Sequence, residues 1–167
     1  MDLEAARLWF QSVDTNRSGH LDAHELKRAL EMGRLNYTLH QVHQFIRVFD
    51  YQGDKKLDVN EFIQLHRFLC EVQDCFAAVG RGSPLLPAAD LPTALARMGH
   101  QLEPQAMQAV LVRFDVSGRG GLALEDFLSA CFFLMAARRV FYRFDPQQSG
   151  RATFDFNQFC YAAAHLP

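Results

Sequence analysis

The chain alternates between two kinds of stretch. Apolar residues recur at i, i+3 and i+4, then give way to short polar clusters holding Asp, Asn, Ser and Gly. Leu3, Ala6, Leu8, Trp9, Phe10 and Val13 precede the first cluster; Leu26, Leu30 and Met32 follow it; Val42, Phe45, Ile46 and Phe49 enter the second. This spacing predicts amphipathic helices with one apolar stripe each. Strand-like alternation is short and confined to the polar clusters. The loops start at Asp14, Asp50, Gly80, Asp115 and Asp145, separated by 36, 30, 35 and 30 residues. The longer intervals hold linkers, Met32–Tyr37 and Met98–Leu102. The shorter intervals hold none: Val59–Val79 and Leu122–Phe144 contain no Gly or Pro. Each should form one long helix that leaves one loop and enters the next, and about 20 residues at 1.5 Å each span about 30 Å.

The expected architecture is therefore all-α, with five helix–loop–helix repeats and about eight helices, two of them long and shared between adjacent loops. The whole chain, 1–167, reads as a single domain of repeats at 3–33, 39–69, 59–99 (degenerate), 104–135 and 124–166.

Loop 1, Asp14–Glu25, carries an oxygen donor at each demanding position of a calcium-binding EF-hand loop. Calcium takes six to eight oxygens. Asp14, Asn16 and Ser18 offer side-chain oxygens at positions 1, 3 and 5; His20 offers its carbonyl at 7; Asp22 stands at 9, and Glu25 at 12 offers two. Gly19 occupies position 6, where φ is positive and a Cβ is costly. An ordinary polar turn capped by Asp14 would not require this many matched positions. Loop 2 is a second, weaker candidate. It has Asp50, Gln52, Asp54, the Lys56 carbonyl, Asp58 and Glu61, but Lys55 stands at the glycine position, where a left-handed non-Gly residue costs roughly 1–2 kcal/mol. Loop 3, from Gly80, lacks a carboxylate before Asp90 and holds two prolines; no ion is expected there, and Leu85 and Leu86 are expected to pack inward. Loop 4 has Arg119 where a ligand belongs and the short Asp126 at position 12, so binding there should be weak or absent. Loop 5 ends on Phe156, which cannot ligate. The implied cofactor is Ca2+.

Composition narrows the function. The formal net charge is -2, so no basic surface for nucleic acid is implied. The four cysteines, Cys70, Cys75, Cys131 and Cys160, have no zinc spacing and read as free, buried thiols of a reducing compartment. The amino terminus has no signal-peptide pattern. A cytoplasmic or nuclear protein follows. A cysteine hydrolase was weighed: His66 and Cys70 share a helix face, but nothing supplies an orienting acid or an oxyanion hole. A calcium buffer would be poor in capacity, with one or two sites per 19.0 kDa.

The five loops, their spacing, and the strings Phe49-Asp50, Arg113–Gly120 and Phe144-Asp145 resemble the penta-EF-hand family from about Leu3 to His165. The resemblance implies that loops 1 and 2 pair, that loops 3 and 4 pair, and that loop 5 pairs with loop 5 of a second subunit. A homo- or heterodimer through Ala136–Leu166 would then use Phe154, Phe156, Phe159, Cys160, Tyr161 and Ala162. It also implies protein partners, Pro-rich peptides among them, that fit an exposed apolar groove with aromatic walls, together with peripheral membrane association and a calcium-responsive adaptor or regulatory subunit; the alternative is a constitutive dimerising scaffold with calcium only structural in loop 1. Two departures stand out: the chain starts directly at its first helix, without the family's glycine- and proline-rich extension, and loop 3 lacks the family's usual ligands.

Overall fold

The computed structural model describes residues 3–166. Eight helices run in chain order: α1 (Leu3–Val13), α2 (Ala23–Met32), α3 (Leu39–Phe49), α4 (Val59–Gly80), α5 (Leu91–Arg97), α6 (Pro104–Phe114), α7 (Leu124–Phe144) and α8 (Phe156–Ala164). The two long helices predicted from the missing Gly and Pro are α4 and α7. The second starts two residues later than predicted, because Leu122 belongs to a strand rather than to the helix. Local chemistry sets several helix starts: Asp22, Thr38, Asp58 and Asp155 each form a reciprocal capping box with Glu25, Gln41, Glu61 and Gln158 three residues on.

Four two-residue strands join the loops in pairs. β1 (His20–Leu21) lies antiparallel to β2 (Leu57–Asp58), with His20 opposite Asp58 and Leu21 opposite Leu57. β3 (Leu86–Pro87) lies antiparallel to β4 (Gly121–Leu122), with Leu86 opposite Leu122. Leu21, Leu57, Leu86 and Leu122 are all fully buried, so each loop pair is pinned to the core by its eighth-position residue or the equivalent. Gly121 is required by close approach: a Cβ there would sit 2.4 Å from the Leu86 carbonyl oxygen. No strand forms in loop 5 among the described residues.

The halves meet at one aromatic junction. Phe132 of α7 stacks on Phe45 of α3 with ring centres 3.9 Å apart, and also meets Phe68 of α4 at 4.9 Å and Phe49 at 6.0 Å. Tyr37, its phenol kept neutral by burial and then by the Glu125 charge, donates to the Glu125 carbonyl at 3.2 Å. Replacing Phe132 by Ala should destabilise the fold by roughly 3–5 kcal/mol, read in chemical denaturation, because the four rings share one cluster.

Two residues assigned to apolar stripes face solvent instead: Leu8 and Met32, 62% and 68% exposed. Each lies two residues from a buried neighbour, Ala6 or Leu30, which is about 200° around the helix.

His100 is buried beside Arg138, and burial, then that charge, lowers its pKa to about 4. The native imidazole therefore stays neutral while the unfolded one takes up a proton near pH 6.5. Stability from this group is complete above pH 6.5 and drains away as pH falls toward 4. In metal-free protein, His100→Phe should lose less melting temperature than wild type over that window.

Candidate functional site: the paired loops

Loop 1 joins α1 to α2 and is built around two buried carboxylates. Asp14 accepts from the Ser18 N–H at 3.0 Å and the Gly19 N–H at 2.9 Å. Glu25 Oε1 accepts from the Thr15 N–H and hydroxyl, both at 3.0 Å, while its Oε2 accepts from the Asp22 N–H at 3.2 Å. Asp22 Oδ1 accepts from the N–H groups of His24 and Glu25. Asn16 and Ser18 sit on the loop's outer rim, with the Ser18 hydroxyl donating to the His20 carbonyl at 2.8 Å. Gly19 has φ +77°, as its position requires.

Loop 2 repeats the plan between α3 and α4. Asp50 accepts from the Lys55 N–H at 2.8 Å, Glu61 accepts from the N–H groups of Tyr51 at 2.8 Å and Asp58 at 2.9 Å, and Gln52 donates to Asp58 at 2.7 Å. Asp54 is exposed and accepts from the Lys56 N–H. Lys55 holds φ +65°, in the left-handed region where glycine is favoured. The two loops touch: the His20 ring nitrogen lies 3.8 Å from Asp54. Lys55→Gly should stabilise the fold by roughly 1 kcal/mol, read in chemical denaturation, because the left-handed strain belongs to the folded loop itself.

The donor set fits a divalent ion. Asp14, Glu25 and Glu61 are 8%, 2% and 4% exposed, yet none has an ion-pair partner among the described residues. Buried carboxylates without a cation are costly. No three His, Cys, Asp or Glu side chains cluster closely enough to hold a metal by themselves among the described residues. An EF-hand loop draws the rest of its oxygens from amide, hydroxyl and carbonyl groups, and loop 1 has these in Asn16, Ser18 and His20.

The other loops close by different means. In loop 4 the Arg119 Nε donates to the Ser117 hydroxyl at 2.7 Å, and its guanidinium lies 3.9 Å from Asp126, so the loop carries its own cation. Burial would raise Asp115 and Asp145, but donors from Arg119, Gly120 and Ser117 in one loop and from Ser149 and Gly150 in the other hold both below the usual carboxylate range. Loop 3 packs Leu86 fully inward and leaves Leu85 half-buried.

Of the four thiols expected to be buried, Cys75 and Cys131 are, whereas Cys70 is half-buried and Cys160 is exposed. The Cys70 sulfur lies 4.0 Å from His66 Nε2. Burial raises the thiol and lowers the imidazole. Both shifts favour the neutral pair over a thiolate–imidazolium nucleophile.

The EF-hand domain pair family matches residues 3–67. Sorcin of Schistosoma japonicum is 32% identical over 165 residues, covering 98% of this chain and 96% of that protein. Penta-EF hand domain-containing protein 2 of Dictyostelium discoideum is 31% identical over 143 residues, covering 85% of this chain and 69% of that one. This chain belongs to the penta-EF-hand family. A solved homologue of programmed cell death 6 protein from Leishmania major Friedlin superposes with a TM-score of 0.69 at 27% identity, covering 99% of this chain and 94% of that one. As a penta-EF-hand protein it binds calcium, and its eight helices are those the repeat predicts.

An apolar groove is expected of a penta-EF-hand protein, but the residues that wall it are not legible in the sequence. Tyr51, Met98, Met135 and Tyr142, with Val48 and Phe68, line an open apolar groove of about 490 Å³ between α3, α4 and α7. The available signal was an aromatic side chain at the second position of loop 2, 63% exposed in the structure.

Proposed function

We propose that the protein is a calcium-responsive adaptor or regulatory subunit. Loop 1 would hold calcium through Asp14, Asn16, Ser18, the His20 carbonyl, Asp22 and Glu25. Loop 2 would hold it more weakly through Asp50, Gln52, Asp54, the Lys56 carbonyl, Asp58 and Glu61. The observation that carries the reading is the double role of Tyr51. Its N–H donates to Glu61, the last ligand of loop 2, and its ring walls the apolar groove. Any movement of Glu61 toward an ion therefore shifts one wall of the groove. Loop 1 reaches the same point through the β1–β2 pair. The groove is rich in aromatic and Met side chains, which suits Pro-rich peptides and adaptable protein partners.

The same reading places a dimer at the fifth repeat. Loop 5 has no strand partner among the described residues, and no residue of α8 is buried. Work in the cytoplasm or nucleus, with peripheral membrane association, and without catalysis, accords with this role. The second reading, a constitutive dimerising scaffold, is favoured by the Arg119–Asp126 pair that closes loop 4 and by Phe156 at the last position of loop 5.

Calorimetry with calcium, followed in parallel by a hydrophobic dye, separates the two. Binding of one or two ions with rising dye fluorescence is the expected result. Binding with unchanged fluorescence would establish the scaffold instead.

A further inference from the structure

A second cavity, of about 110 Å³, lies between α3, α7 and the end of α8. Arg47 and Gln44 reach it from α3, Arg139 and Arg143 from α7, and His165 from beyond α8. Three arginines thus line one small space in a chain whose net charge is -2, and no Asp or Glu lines it; the Arg139 guanidinium also lies over the Tyr51 ring, 5.5 Å from its centre. None of the three has an ion-pair partner among the described residues.

We propose that this cavity is a binding site for a phosphate group. Two of the arginines are already held in place: Arg139 donates to the Val48 carbonyl at 3.1 Å, and Arg143 donates to the Tyr161 hydroxyl at 2.9 Å. Each bond uses one of five guanidinium donors and leaves the rest for a ligand. Capping the carbonyl end of α3 accounts for that one bond of Arg139; it gives no reason for Arg47 and Arg143 to converge on the same space. Buried Val48, Ala136 and Val140 line the cavity beside them, while the three arginines themselves stay exposed and reachable by a ligand from solvent. Forks arriving from two helices suit the several oxygens of a tetrahedral dianion, whereas a planar carboxylate would engage one fork.

The test is a titration of inorganic phosphate into the calcium-depleted full chain at low salt, with sodium chloride at matched ionic strength as the control. Saturable one-to-one binding is expected. Arg47→Gln should weaken it about tenfold, the effect of losing one charge-assisted contact. Arg47 is exposed and makes no hydrogen bond or ion pair among the described residues, so the variant's melting temperature should match wild type; Arg143→Gln serves as the second variant. Sedimentation with phosphoinositide vesicles distinguishes the source of the phosphate. Retention of wild type but not Arg47→Gln would assign a lipid headgroup, and phosphate binding without retention would assign a soluble ligand. Absence of saturable phosphate binding, or equal affinity in wild type and both variants, would overturn the proposal.

Discussion

Glu25→Gln is expected to weaken calcium binding at loop 1 by about 100-fold or more, equivalent to roughly 2.8 kcal/mol. Glu25 is the position at which loop 1 offers two charged oxygens from one side chain, and it sits in the core side of the loop at 2% exposure. Gln has one oxygen and no charge, so the substitution removes a charge-assisted contact and turns an amide N–H₂ toward the ion. The fold should survive without calcium, because Gln at this position can still complete the capping box with Asp22. Calorimetry and calcium-dependent melting read the effect together. Calcium at about 1,000 times its dissociation constant stabilises a native state by about 4.1 kcal/mol, so the wild-type melting temperature should rise further with calcium than that of the variant. Retention of wild-type affinity in Glu25→Gln would remove loop 1 from the list of sites.

The second large effect concerns assembly. Phe156 and Phe159 on α8 are 79% and 60% exposed. Burying a Phe side chain contributes about 1.5–3 kcal/mol. Replacing both with Asp should therefore weaken self-association, or association with a related chain, by at least about 100-fold. Sedimentation of wild type as a dimer and of Phe156→Asp/Phe159→Asp as a monomer is the expected pattern. Neither ring is buried within the protomer, so the variant should keep the helical content and calcium binding of wild type. If wild type is monomeric at high concentration, with and without calcium, and captures no related subunit, the dimer proposal fails.

The groove and the loops form one system in which the strand pair is the link. Leu21 and Leu57 are opposite each other and fully inaccessible. A closely packed pair of this kind cannot deform gradually, so displacement of one loop is passed to the other. Loops 4 and 5 differ from loop 1 elsewhere. Arg119 ties Ser117 to Asp126 in loop 4. Loop 5 ends on Phe156, which cannot ligate, although Asp145 accepts from Ser149 and Gly150 as Asp14 accepts from Ser18 and Gly19. On the proposed reading, calcium would act on the first half of the chain.

The sequence by itself determined whatever is local. Twelve consecutive residues hold every proposed ligand of loop 1, so the chemistry can be read without knowing the fold. The lengths of α4 and α7 followed from the missing Gly and Pro, since nothing in those stretches interrupts a helix. The five loop starts and their spacing determined which helices are shared. Tertiary structure alone decided what depends on distant residues meeting. The stack of Phe132 on Phe45 joins residues 87 positions apart, and periodicity marks both as apolar without saying that they touch. The exposure of Leu8 and Met32 depends on which side of each helix the core occupies, and a mixed run of apolar residues leaves that open. Tyr51 reads as a loop residue until α4 and α7 bring Phe68 and Met135 against it. Arg47, Arg139, Arg143 and His165 are four scattered basic residues in the sequence, and only the packing of α3 and α8 against α7 makes them a single site.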